Sequence, residues 1–290
     1  MRYIIFPLLL FLFFSCTEEI TIDTDDADPV IVIYGELTDD VTFQQVNISR
    51  SAPYFSNQPN PVVSGAKVQI TSSNSDVYEL LESNEIPGLY LSATQWGAIP
   101  DVTYTLKVEF DFDSDGTDEI YEASTTVLSS IPISSITIVP VSIMGHKNYN
   151  VNLNGQEPVG EDFYLCKYMV NDSLISNKIS EYRMFDDILF DGQHIENLSI
   201  ERFDDISEWE KDTEERRKRS VYIKSGDKIE LQMSRIPKAY YEFINQCQRG
   251  MRGPNPFFGS SPSNITTNIS NGGKGFFSGY CVSRASAMVE

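Results

Sequence analysis

Polar and apolar residues alternate along most of this chain with a period of two, the spacing of half-buried β-strands. Over the first half the alternating, β-branched and aromatic runs fall at 30–37, 42–49, 66–71, 77–82, 89–93, 102–112 and 119–127. Pro, Gly, Asn and Asp punctuate them. Seven short strands in about 100 residues predict an immunoglobulin-like β-sandwich over 29–130, in architecture only, since the Cys-Trp-Cys core of antibody domains is missing. Pro132 marks a linker. A second antiparallel β-sandwich or barrel-like domain is expected over 134–290, with strands at 136–143, 148–153, 163–170, 174–185, 220–224, 228–234 and 276–284. Two helices interrupt it. One is predicted over 208–218, where Ser207 and Glu210 suit a capping box and Arg216 to Arg219 suit the negative end of the dipole. The other is predicted over 237–248, opened by Pro237 and stopped by Gly250. The fold class is therefore mainly β with one or two short helices.

The pattern breaks at the N-terminus. Leu8 to Phe14 form an unbroken apolar run with Arg2 ahead of it and Ser15-Cys16 behind it. A span needs about 20 apolar residues, so this run is too short to cross a bilayer and reads as a secretory signal over 1–15. Cleavage would place Cys16 first, where its thiol and freed amine accept acyl chains. Each buried CH₂ is worth about 0.8 kcal/mol, so several long chains hold such a protein on a membrane. Residues 16–28 are acidic and aperiodic, and are expected to act as a lipidated tether. Glu18-Glu19 just behind Cys16 resembles the signal that sends Bacteroidetes lipoproteins to the outside of the outer membrane.

Charge narrows the partners. The chain carries a formal net charge of −20, and loss of Arg2 with the signal makes it one unit more negative. Such a surface repels nucleic acid. Besides Cys16 there are Cys166, Cys247 and Cys281, so any disulfide must join two of these three, with Cys166 and Cys281 as the favoured pair because both fall on predicted strands. None has a partner at zinc-ligand spacing, and the two histidines, His146 and His194, follow apparent turns as solvated loop residues.

The sharpest chemical signal is DFDSDGTDE at 111–119. Asp111, Asp113, Asp115, Thr117 and Glu119 put hard oxygen donors at alternate positions around Gly116, and Glu122 occupies the twelfth position, a spacing that suits Ca²⁺. Because strands flank it, the site would be a β-hairpin. Its alternative is an ordinary Asp-Gly turn. Asp172-Ser173-Leu174 resembles the short O-glycosylation acceptor of Bacteroidetes, with Ser173 as acceptor. No residues suggest a catalytic set: Ser, His and Asp occur, but in no nucleophile-elbow pattern.

Several short stretches, in order, carry a resemblance: PVVSGAKV at 61–68, Gly88-Leu89-Tyr90, Tyr104-Thr105-Leu106, Phe163-Tyr164, FDDILFDG at 185–192, GPNPF at 253–257, Asn268-Ile269 and Gly275-Phe276-Phe277. Behind a lipoprotein signal they resemble the Bacteroidetes outer-membrane lipoproteins grouped as domain of unknown function 4249. That resemblance implies a non-enzymatic, surface-exposed accessory or ligand-binding component of a TonB-dependent transporter, with no catalytic residues to carry over. The competing expectations are a cell-surface hydrolase and a purely structural envelope protein.

Overall fold

The computed structural model describes residues 28–51, 60–251 and 265–290. The signal, Cys16, the tether up to residue 27, and the GPNPF stretch lie outside the described residues. The fold is mainly β. Its elements are β1 (Ile31–Thr38), β2 (Gln45–Arg50), β3 (Lys67–Ser72), β4 (Val77–Glu82), β5 (Leu89–Ser92), β6 (Thr103–Phe110), β7 (Glu119–Thr126), β8 (Ile133–Ile143) and β9 (His146–Gln156). They continue with β10 (Phe163–Val170), β11 (Ser173–Leu174), β12 (Arg183–Asp186), β13 (His194–Asp205), α1 (Glu214–Arg217), β14 (Tyr222–Ile223), β15 (Lys228–Arg235), α2 (Lys238–Met251), β16 (Lys274–Tyr280) and β17 (Ser283–Met288).

The seven strands expected in the first half all form. An eighth comes from the far end of the chain, giving one sheet in the order β16-β1-β2-β5-β4-β3-β6-β7. In β1 every second residue turns inward, so Ile31, Ile33 and Leu37 join Val46, Ile70, Tyr104 and Leu106 in a single core. β16 runs parallel to β1 and supplies Phe277 to that core. The sheet curls until its two edges meet: the Gly279 amide donates to Thr125 Oγ1 at 3.0 Å. Gly275 makes the β1–β16 pairing sterically feasible. Its φ is +99°, and a Cβ there would stand 2.0 Å from the Ile33 carbonyl oxygen.

Two further sheets lie beyond residue 131. One has the order β11-β10-β15-β17, with β12 also paired to β10; the other has the order β14-β13-β9-β8. They enclose a second core that includes Val151, Cys166, Tyr168, Phe203, Ile229 and Leu231. Helix α2 buries Tyr240, Phe243 and Ile244 against Leu165 of β10 and Phe276 and Tyr280 of β16, which joins the first sheet to the second body. Across the same junction Lys167 Nζ lies 2.8 Å from Glu36 Oε2, and the hydroxyls of Tyr34, Tyr182 and Tyr240 surround the other carboxylate oxygen.

Several expectations need correction. The strand expected over 276–284 is two strands in different sheets, β16 and β17, because the chain crosses between bodies at Cys281-Val282. The run 174–185 is broken by a 3-10 turn at Ile179–Glu181. The helix expected over 208–218 is split: Asp205 caps a 3-10 turn at Ile206–Glu208 and Thr213 caps the single turn α1. The split follows from Glu208, whose side chain is 1% exposed and faces the start of β9, 3.0 Å from His146 Nδ1 and 2.9 Å from Lys211 Nζ. Lys211, the Lys147 amide and His146 together hold the Glu208 carboxyl at about 2. His146 thus lies within hydrogen-bond distance of a buried carboxylate at the start of β9, and His194 opens a strand, β13. Cys166, Cys247 and Cys281 are free thiols; Cys166 and Cys281 sit in different cores, so the favoured pair does not form.

Candidate metal-binding hairpin

The strands β6 and β7 pair in full register from Thr103 opposite Thr126 to Phe110 opposite Glu119, so the acidic stretch forms the tip of a hairpin. The tip folds on its own carboxylates, as Asp favours: its side chain replaces a backbone acceptor in turns. Asp111 accepts from the Asp115 amide at 3.1 Å and the Gly116 amide at 3.0 Å. Asp113 accepts from the Asp115 amide at 3.0 Å, and Asp115 from the Thr117 amide at 2.7 Å. Glu119 reaches back to the Phe112 amide at 2.6 Å. Arg50 braces the base of the loop, donating to the Phe112 carbonyl at 2.8 Å with its guanidinium 4.0 Å from that ring's centroid.

One carboxylate oxygen from each of Asp111, Asp113, Asp115 and Glu119 lies within 4.8 Å of all the others. Oxygens about 2.3–2.6 Å from a central Ca²⁺ can be no more than about 5 Å apart, so these four can share one ion. Thr117 joins through its backbone amide to Asp115. Glu122 stays outside the group: it is three residues along an extended strand, roughly 10 Å from Glu119, paired opposite Lys107. Asp118, inside the acidic stretch, turns away to Lys67 at 2.6 Å. Ser173 lies exposed at the start of β11, after two left-handed residues, Asn171 and Asp172.

A second carboxylate group was not legible as a unit in the sequence. Glu157, Asp162 and Asp187 bring one oxygen each within 4.8 Å of one another, where the β9–β10 loop meets the segment after β12. Glu157 and Asp187 are buried, 5% and 2% exposed. The Tyr164 hydroxyl donates to Glu157 at 2.5 Å, the Asp162 amide donates to Asp187 at 3.0 Å, and Arg235 stands 3.5 Å from Asp162. Burial raises the carboxyls of both Glu157 and Asp162 above their ordinary range, with neighbouring aspartates adding to it. In sequence only the FDDILFDG turn hinted at this place. Its partners lie about thirty residues upstream and meet it only on folding.

The side chains of Arg216, Lys218 and Arg219 in the basic run each pair with nearby acids. Arg216 pairs with Asp204 at 3.1 Å and Asp212 at 3.3 Å, Lys218 with Glu214, and Arg219 with Glu215. Of the late aromatics, Tyr240, Phe243, Phe276 and Phe277 are core residues, while Phe257 and Phe258 lie outside the described residues. No curated protein matches the chain. A family profile does match, over residues 17–286, which is nearly all of the sequence and includes both carboxylate groups and the strands that hold them. The chain belongs to the family described as domain of unknown function (DUF4249).

Proposed function

We propose that this protein is a non-enzymatic lipoprotein, anchored through Cys16 at the outer face of the outer membrane, that serves as an accessory subunit of a TonB-dependent transporter. The observation that carries the reading is the apolar run Leu8 to Phe14 closing on Ser15-Cys16, followed at once by Glu18-Glu19. The twelve residues 17–28 then lead almost directly into β1, and fully extended they reach about 40 Å. A tether of that length holds a partner in the same membrane at high effective concentration, so a modest interface stays occupied. Replacing Cys16 by Ala tests the anchor: the variant should leave the membrane fraction and lose radiolabelled palmitate. Retention of both would dispose of the reading.

The β6–β7 hairpin is proposed to hold Ca²⁺ through Asp111, Asp113, Asp115 and Glu119. The support is the convergence of four carboxylates on a turn whose amides already orient them. Binding to the folded state alone raises stability by mass action, by about 2.7 kcal/mol at a hundredfold excess over Kd. Millimolar calcium should therefore raise the melting temperature of the wild type and leave an Asp113→Ala, Asp115→Ala variant unmoved. An equal shift in both would reduce the hairpin to a turn.

A further inference from the structure

A cleft of about 450 Å³ opens in the second body, beside β13 and the end of α1. Its lining holds five basic side chains, Arg183, Arg202, Arg216, Lys218 and Arg219, against three acidic ones, Glu181, Glu201 and Asp204. On a chain of net charge −20 the lining itself carries more cations than anions, with Asp212, Glu214 and Glu215 pairing with three of those cations from just outside it. The three carboxylates of the lining are already engaged. Glu181 accepts from the amides of Asn177 and Lys178 at 3.0 and 3.1 Å, Glu201 takes the Arg183 guanidinium, and Asp204 takes Arg216. The cations nearer the rim are less committed. Lys218 and Arg219 pair with Glu214 and Glu215 only through side chains 72–80% exposed, and water screens such pairs until they contribute little. Arg202 is exposed and has no ion pair among the described residues.

An independent observation comes from the wall of the cleft. Tyr168 is 1% exposed, its ring edge-on to Phe203 at 5.7 Å, yet its hydroxyl has no hydrogen-bond partner among the described residues. A buried polar group left without a partner is costly, and native proteins keep few of them. Tyr168 lines the cleft together with Glu201 and Arg183.

We propose that the cleft binds a small molecule bearing an oxyanion group, phosphate or carboxylate, with the Tyr168 hydroxyl donating to it and Arg202, Lys218 and Arg219 supplying charge. Guanidinium forks match either oxyanion in a bidentate manner. The volume lies in the range of small-molecule sites, so the ligand is larger than a bare ion. This inference does not rest on the lipoprotein reading and stands or falls separately from it.

The test is calorimetric titration of the full chain in detergent with inorganic phosphate, citrate, glucose 6-phosphate and glucose at fixed ionic strength. At least one anionic probe should bind and glucose should not; phosphate against citrate distinguishes the two oxyanions. Tyr168→Phe should weaken that binding tenfold or more, and Arg202→Gln with Arg219→Gln should abolish it. Because Tyr168→Phe removes only an unpartnered hydroxyl, the ligand-free variant should melt at or above the wild-type temperature, which also shows that it folds. Three results would each overturn the proposal: no anionic probe binding above the ionic-strength control, Tyr168→Phe binding as tightly as wild type, or that variant melting well below wild type because the hydroxyl was already satisfied.

Discussion

Glu36 lies on the face of β1 opposite its core residues, where a strand at a free surface would be solvated, yet its side chain is 17% exposed because the second body covers it. Burial alone would disfavour its charge. Lys167 at 2.8 Å, together with hydroxyl donors from Tyr34 and Tyr240, more than offsets that and lowers the Glu36 carboxyl from 4.5 to about 2. Lys167 is held in turn, with its ammonium 4.4 Å from the Tyr182 ring centroid and 3.2 Å from the Tyr280 hydroxyl. Removing one partner of a buried pair strands the other, which typically costs about 3–5 kcal/mol. Lys167→Met is therefore expected to destabilise by that order in urea unfolding at pH 7. The pH dependence has a definite sign. A carboxyl whose folded pKa lies below its unfolded value contributes fully above the unfolded value, and its contribution is lost as pH falls toward the folded one. Wild-type stability should thus decline between about pH 4.5 and pH 2 more steeply than that of Glu36→Gln, measured by urea unfolding at each pH. Parallel curves would show that Glu36 is not the group responsible.

At the scale of elements, β16 and β13 separate what the sequence discloses from what it does not. The apolar pattern of Phe276, Phe277 and Tyr280 marks a strand, but alternation reports only that a face is buried, not against which sheet. The parallel register of β16 on β1 brings together residues more than 200 positions apart. Gly275 is where this pairing is most exposed to test. Gly275→Ala would force a Cβ against the Ile33 carbonyl at a left-handed backbone position and should cost about 3 kcal/mol or more. The predicted sign of failure is a lower melting temperature with faster amide exchange along β1 and β16; unchanged exchange there would contradict the assigned pairing. The strand β13 escapes a period-two reading for another reason. Irregularities between Ile195 and Leu198 and between Ser199 and Glu201 shift its register against β9, so Ile195, Ile200 and Phe203 are buried without regular alternation. The two carboxylate groups repeat this contrast. Asp111, Asp113, Asp115 and Glu119 are legible because one short turn holds them all, whereas Glu157, Asp162 and Asp187 depend on two loops meeting, and the Tyr168 cleft depends on four separate segments.

Over the whole molecule, the chain ends by stitching its parts together: β16 completes the first sheet, β17 pairs with β15 in the second body, and α2 packs between them. This interlocking gives a body whose loops at several faces, the acidic hairpin among them, are held in fixed relation to β1. Its net charge of −20 disfavours contact with anionic headgroups and leaves recognition to local surfaces. Under the proposed acyl anchor at Cys16, such a body would suit a partner embedded in the same membrane plane. The central claim of this account is that partnership with a TonB-dependent transporter. The most direct measurement is affinity purification of the tagged full-length protein from gently solubilised native outer membranes, followed by mass spectrometry of what survives washing, with the Cys16→Ala variant in parallel. The account predicts a TonB-dependent transporter in near-stoichiometric amount with the wild type and a marked loss with Cys16→Ala. Recovery of the wild-type protein alone, under conditions in which other transporter complexes stay intact, would contradict it.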